Sequence, residues 1–197
     1  MFRGIKLSTL LRSRRYLLRN TEAAAIIEFA VALPLLVVLV VGIFDFGGAF
    51  NLKQELNNAA REGARFGAAQ PTNDISPSNL KPPSVDAIRY LIDAYMQTAH
   101  INDCGLSGLS EPAQGGGLVW VYTANSGCSG GALTLTISRA VPVVVTVGGS
   151  NVVMLCTSIQ INYPYQWHFN NVIQLLVPGA SYSLGAIPAN ATAVNMD

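Results

Sequence analysis

From Phe29 to Phe44 the chain runs 16 residues without a charge. At the rise of an α-helix that run covers about 24 Å, and the wider Ala23–Phe50 stretch about 42 Å, against a bilayer hydrocarbon core of about 30 Å. Glu28 and Asp45 stand near the two ends of the run. The pattern predicts a helix long enough to cross a membrane. Its apolar part exceeds the core of a secretory signal peptide, and no small-residue cleavage site follows it. Pro34 falls inside the run, where membrane helices tolerate proline.

Helical spacing does not stop at Phe44. Leu52, Leu56, Ala59, Gly63 and Phe66 recur three and four residues apart and give the continuation one apolar face. Pro71 is a natural stop, with Thr72 and Asn73 as turn formers. One helix is therefore expected from Thr21 to Ala69, about 70 Å long, with its first half in lipid and its second half outside. Two rows of small residues mark the outer half: Ala60, Ala64, Ala68 and Ala59, Gly63, Gly67. Such rows allow helix backbones to approach closely. Ala60, Gly63, Ala64 and Gly67 are thus candidates for packing between helices. The alternative is that this face packs on the protein's own sheet.

Beyond the helix, residues 70–83 are rich in Pro, Asn and Ser and read as a linker. Val85, Ile88, Leu91, Ile92, Tyr95 and Met96 predict a helix over Ser84–His100, with Ser84 as N-cap. Residues 101–117 read as loop, Leu118–Thr123 as a short strand, and Ala124–Gly131 as a second loop. Ala132–Val147 and Val152–Tyr163 are rich in Val, Ile and Thr, and Gly148–Asn151 between them signals a hairpin. Ile159, Ile161 and Tyr163 alternate with Ser158, Gln160 and Asn162, so one face is buried. Pro142 calls for an edge or a break. Phe169–Val177 is apolar and either helical or irregular, and Ser181–Val194 supplies a last strand. The expected class is α+β: a long N-terminal helix packed on a small antiparallel sheet of three or four strands. The chain divides into a basic leader (1–23), the long helix (24–69), the linker (70–83) and an α+β domain (84–197).

Charge sharpens this picture. Charged residues make up 12% of the chain, about half the usual share for soluble domains. Six of the 12 Lys and Arg residues lie in the first 19 positions, which hold no acid. Beside a membrane segment such a cluster sets topology, with the basic flank in the cytoplasm and the remainder outside. The leader's Phe2, Ile5, Leu10, Leu11, Leu17 and Leu18 suit a short amphipathic piece or a disordered one. The three cysteines all follow the apolar run. On an oxidising side they form one disulfide and leave one thiol. Three pairings exist; Cys104–Cys128 is favoured because both lie in Gly/Ser-rich loops. No cysteine pair has metal-ligand spacing, and His100 and His168 have no partners at such spacing. Gly115–Gly117 lacks the Lys-Ser/Thr of a phosphate-binding loop. No catalytic, cofactor-binding or metal-binding constellation emerges, so no enzymatic activity is expected.

Glu28 is the most informative residue. A carboxylate within a membrane helix costs on the order of a few kcal/mol and is a functional candidate by default. The run Ala23-Ala24-Ala25-Ile26-Ile27-Glu28-Phe29 resembles a type IV prepilin processing site, with the cut between Ala23 and Ala24 and Glu28 as fifth residue of the mature chain. Ala23 stands where glycine is usual. The Glu28-Phe29 pair is similar to that of the Flp/Tad branch. The wider stretch 23–69 closely resembles the N-terminal part of TadE-like pilus-assembly proteins through Glu28-Phe29, Leu33-Pro34, Gly42, Asp45-Phe46-Gly47 and the block Asn58 to Arg65.

The resemblance implies a pilin-like fold and a pseudopilin-like minor subunit of a Tad pilus or secretion system. It places the chain in the bacterial inner membrane with the domain in the periplasm. The implied partners are the inner-membrane Tad platform, the assembly ATPase, the major pilin, a sister TadE- or TadF-like subunit, and a prepilin peptidase. Cleavage would leave an amine on Ala24 that Glu28 of a neighbour neutralises in lipid. Asp45 near the outer interface is expected to be structural. A second hypothesis is an unprocessed single-pass protein whose outer domain binds a ligand or surface, with the aromatic run Tyr163–Phe169 as its binding face. Arg61, Glu62 and Arg65 are expected on a solvated face or against acids of a neighbour.

Overall fold

The computed structural model describes residues 21–179 and 185–196; the side chains of residues 21–23 and 176 are not described. Residues 1–20 of the expected basic leader, with its amphipathic segment, lie outside these residues, as does the start of the expected last strand. The described chain divides into two compact units: residues 21–45 with 168–179, and residues 46–167 with 185–196.

Helix α1 spans Thr21–Ala68 without interruption, with Pro34 inside it. In its apolar part only 6% of the most hydrophobic window is buried. A core helix of a water-soluble domain would bury that surface. This helix is long and apolar enough to cross a membrane.

In the larger unit, helix α2 (Pro83–Thr98) buries Val85, Ile88, Ile92 and Met96, as the helical spacing predicted. Its start differs from expectation. Pro82 is the N-cap and Pro83 begins the helix, which suits a proline because the first helical N–H has no partner in any case. Ser84 is therefore inside the helix, and Asp74 does the capping from ten residues upstream. Its carboxylate accepts the Ser84 N–H at 2.7 Å and the Ser84 hydroxyl at 3.0 Å.

The sheet has five antiparallel strands in sequential order. They are β1 (Ala113–Gln114), β2 (Val119–Ala124), β3 (Leu133–Val147), β4 (Ser150–Tyr163) and β5 (Ile187–Val194). Two residues are enough for β1 to add a strand beyond the expected count, and so short a segment has no periodicity to detect. Gly148 and Gly149 form the β3–β4 turn with φ of 59° and 85°, the left-handed pair that a two-residue hairpin requires. Leu133, Leu135 and Ile137 of β3 and Ile159 and Ile161 of β4 face Leu56, Ala59 and Ala60 of α1 and the apolar face of α2 in one buried cluster.

Pairing of β2 with β3 stops at Ser138, and pairing of β4 with β5 stops at Cys156. A bulge between Ser138 and Val141 follows. Pro142–Val147 and Ser150–Leu155 then pair with each other as a two-stranded ribbon. Pro142 sits in this ribbon, where β2 no longer asks for its missing N–H.

Candidate functional site

Glu28 and Phe29 lie on the exposed apolar half of α1, one turn from the exposed Ala24. Glu28 has no hydrogen-bond or ionic partner among the described residues. The helix therefore presents this carboxylate outward from a surface that is otherwise apolar. Ala23 is helical in backbone.

The burial pattern changes at Gly42. Gly42 and Asp45, three residues apart and so on one helix face, are both buried. What covers them is helix α3, Phe169–Leu176. The Phe169 ring lies on the bare Gly42 backbone; a Cβ at Gly42 would stand 3.3 Å from ring carbon Cε2. The Asp45 carboxylate accepts the Phe169 N–H at 2.9 Å, and its other oxygen is 3.5 Å from His168 Nδ1. Asp45 thus caps the first turn of α3 from a distant part of the chain, where a carboxylate also suits the helix dipole. A structural role was expected for Asp45; the residue it holds was not visible in the sequence.

The small residues of α1 meet the protein's own domain. Ala59, Ala60, Gly63, Ala64, Gly67 and Ala68 are buried. A Cβ on Gly63 would come within 2.9 Å of Ile92 Cδ1, and one on Gly67 within 2.8 Å of both Ile88 Cδ1 and Thr157 Cγ2. Close approach is real, and it is to α2 and β4 of the same chain. Asn58, Arg61, Glu62 and Arg65 of the same block are exposed. The block from Asn58 to Arg65 therefore divides into a buried small-residue face and a solvated polar face.

Cys104 and Cys128 form a disulfide, and Cys156 is a buried thiol. The bond joins two loops that are also tied by backbone: Ser126 N–H donates to the Cys104 carbonyl at 2.8 Å. Next to it, the Asp103 carboxylate accepts the N–H of Gly105 at 3.2 Å and of Ser107 at 3.1 Å. Burial would raise the Asp103 pKa, but these backbone donors outweigh it and hold the group below the usual carboxylate range. Facing it from α2, Asp93 is pushed up by burial and by the neighbouring Asp103 carboxylate.

Two buried arginines carry no local sequence signal. Arg89 donates to Asp86 Oδ1 at 3.0 Å and to the Leu106 carbonyl at 2.9 Å, with its guanidinium 4.0 Å from the Tyr90 ring centre. Burial opposes its charge, yet the bonds to Asp86 and Tyr90 prevail and keep its pKa above the ordinary arginine value. Burial, with the nearby Asp86, pushes the Tyr122 hydroxyl up to about 12. Arg139 donates to the Gln70 carbonyl at 3.0 Å. Trp120 Nε1–H donates to the Asn79 carbonyl at 3.1 Å, and the Gln114 amide donates to the Pro77 carbonyl. Segment 70–82 is thereby laced to the sheet along its length. Such bonds span tens of residues, so only the folded chain reveals them.

The aromatic run is mixed in its burial. Tyr163 and Pro164 are buried. Tyr165 and Trp167 meet edge to face at 4.8 Å, and Trp167 lies 5.4 Å from Phe46. An open groove of about 410 Å³ is lined by Phe46, Ala49, Phe50, Lys53, Trp167 and Ile187. Among the described residues no group of three or more His, Cys, Asp and Glu side chains converges as metal ligands do.

These features define a class: a chain with, among the described residues, one helix fit to span a membrane, continuing into an α+β domain built on an antiparallel meander. The TadE-like protein family matches residues 23–65. That segment, from the helix entrance through Glu28, Gly42 and Asp45 to Arg65, is TadE-like. No curated protein and no solved structure matches the chain.

Proposed function

We propose that this chain is a membrane-anchored, pseudopilin-like minor component of a Tad pilus or secretion system, acting structurally and without catalysis. The observation that carries this is the division of labour along α1. Its outer half spends its small-residue face on its own domain. Its inner half keeps most of its apolar surface and Glu28 exposed, apart from the side that α3 covers at Gly42. The helix surface left for neighbours is therefore the exposed side of residues 24–44, not Ala60, Gly63, Ala64 and Gly67. In this reading a prepilin peptidase cuts between Ala23 and Ala24. Glu28 then meets the new amine on Ala24 of an adjacent subunit, setting register in a medium where charge pairing is strong. The partners are the inner-membrane platform with its ATPase, the major pilin and a sister TadE- or TadF-like subunit.

The Cys104–Cys128 bond supports placing the domain on an oxidising side, the periplasm, with the basic N-terminal flank in the cytoplasm. The test is the N-terminus of the membrane-extracted protein. A mature chain beginning at Ala24, with Glu28→Ala abolishing assembly but not insertion, is the expected result. An intact Met1 with unchanged assembly in Glu28→Ala overturns the proposal. The second reading is an unprocessed single-pass protein with a ligand- or surface-binding domain. It is favoured by the open groove beside Phe46, Phe50 and Trp167, and the intact N-terminus would select it.

A further inference from the structure

Helix α3 begins where the uncharged run of α1 ends. Its first amide is held by Asp45 and its first ring lies on Gly42, so its N-terminus is fixed at the level of the last residues of that run. Helix α3 is eight residues long, about 12 Å at the helical rise. By helical spacing, Phe169, Val172 and Ile173 share one side, and Asn170, Asn171 and Gln174 share the other. Leu175 is 82% exposed and Val177 is 58% exposed. At the level where α3 begins, α1 exposes Phe44 at 76% and Ile43 at 63% on its other side. Between Arg139 and Asp197 there is no Lys, Arg, Asp or Glu, so α3 has no charge with which to hold water or an anionic headgroup.

We infer that α3 is an interfacial helix, embedded at the headgroup–acyl boundary of the same bilayer that α1 spans, with Leu175 and Val177 in contact with lipid. The inference rests on the membrane-spanning reading of α1. The occupant is lipid because α3 starts at the level of Gly42 and Asp45, where the apolar surface that α1 offers to lipid ends at Ile43 and Phe44, and it carries exposed apolar side chains of its own. Insertion is by apolar burial and not by attraction to lipid charge. Asp45, tied to α3, then serves as a depth gauge. Drawing α1 inward would drag the polar residues of α3 into hydrocarbon, and pushing it outward would strip Leu175 and Val177 of lipid. The device fixes how far the Glu28 end reaches.

The test uses the full chain carrying Cys156→Ser, with Cys104–Cys128 left oxidised, reconstituted in vesicles of phosphatidylcholine with and without phosphatidylglycerol. A nitroxide is placed in turn at Leu175→Cys, Leu36→Cys and Glu111→Cys, and its accessibility to oxygen and to a water-soluble nickel chelate is read by power saturation. The Leu36 label reports the span, and the Glu111 label reports water. The expected result is a Leu175 label with an oxygen-to-nickel ratio several-fold above that of Glu111, below that of Leu36, and equal in the two lipid mixtures. A Leu175 ratio equal to that of Glu111, with Leu36 shielded from nickel, overturns the interfacial helix and leaves the span intact. A Leu36 label open to nickel overturns the span and this inference with it.

Discussion

The Asp45 carboxylate accepts the Phe169 N–H at 2.9 Å across 124 residues of sequence. An acid that hydropathy alone marks as the end of an apolar run is the cap of a distant helix. The buried face of α1 around it, Gly42 with Asp45, is shaped by what it holds. Removing the carboxylate with Asp45→Ala is expected to cost the first turn of α3 about 1 kcal/mol, the usual worth of an N-cap. Amide exchange at the start of α3 should accelerate roughly fivefold, while the buried core of the sheet keeps its protection. Asp45→Asn retains an acceptor and should restore most of the protection. Hydrogen exchange read by mass spectrometry on the detergent-solubilised chain distinguishes the three proteins.

The glycines of α1 are not equivalent, although all lie in one helix. A Cβ on Gly67 would meet Ile88 and Thr157 at 2.8 Å, whereas a Cβ on Gly47 meets nothing within 4 Å. Gly→Ala gains about 1 kcal/mol of helix propensity, and overpacking a tight contact costs about 1–3 kcal/mol. Gly47→Ala should therefore raise the thermal midpoint of the domain, and Gly67→Ala should leave it unchanged or lower it. Equal shifts in the two variants would mean that Gly67 is not in close contact. If Gly47→Ala stabilises the fold and still impairs assembly, its bare surface is used by a neighbouring subunit.

What was legible in the sequence was whatever repeats locally. The uncharged run and the three-and-four spacing predicted α1 to within a residue of its end, and the paired glycines predicted the β3–β4 hairpin. The TadE-like segment was readable because its chemistry is concentrated in consecutive residues from Glu28 to Arg65. Small residues at helical spacing announced close approach but not its partner, since α2 and β4 offer the same apolar surface as a second helix would. Ser84 looked like the cap of α2 because capping is usually local; Asp74 holds that helix from ten residues away. Arg89, Arg139 and Trp120 bond carbonyls of remote loops, and a carbonyl has no side-chain signature. Helix α3 was ambiguous because eight apolar-rich residues fit a helix or an irregular segment equally well.

The disulfide closes a segment with a sequence separation of 24 between Cys104 and Cys128. A loop of that size corresponds to about 3 kcal/mol of stabilisation in the chain-entropy account. Cys104→Ala with Cys128→Ala is expected to lose about that amount in urea unfolding of the domain, with the loops around Asn102 and Gly127 exchanging first. Cys156→Ser should leave the non-reducing gel mobility unchanged, since this thiol takes no part in the bond. Loss of the disulfide band in Cys156→Ser would refute the pairing.

Asp93 and Asp103 make the domain's pH dependence bipartite. Asp93 is held above the ordinary carboxylate range, by burial first and by Asp103 second, so folding favours its proton and the penalty for its charge grows as pH rises through that range. Asp103 is held below the ordinary range because its backbone donors outweigh its burial, so it contributes stability present above its unfolded pKa and lost as pH falls through its folded pKa. Asp93→Asn keeps an acceptor for the Gln97 amide, which donates to Asp93 Oδ2 at 2.9 Å, and supplies a permanent donor toward Asp103. The variant should melt higher than the parent at neutral pH, with the gain vanishing in acid where Asp93 is already protonated. Asp103→Asn removes the acceptor for Gly105 and Ser107 and should melt lower at neutral pH, with the difference shrinking in acid. Thermal melts of the three proteins from pH 3 to pH 8 test both signs, and an Asp93→Asn gain that persists at the acid end would show that Asp93 does not carry the titration.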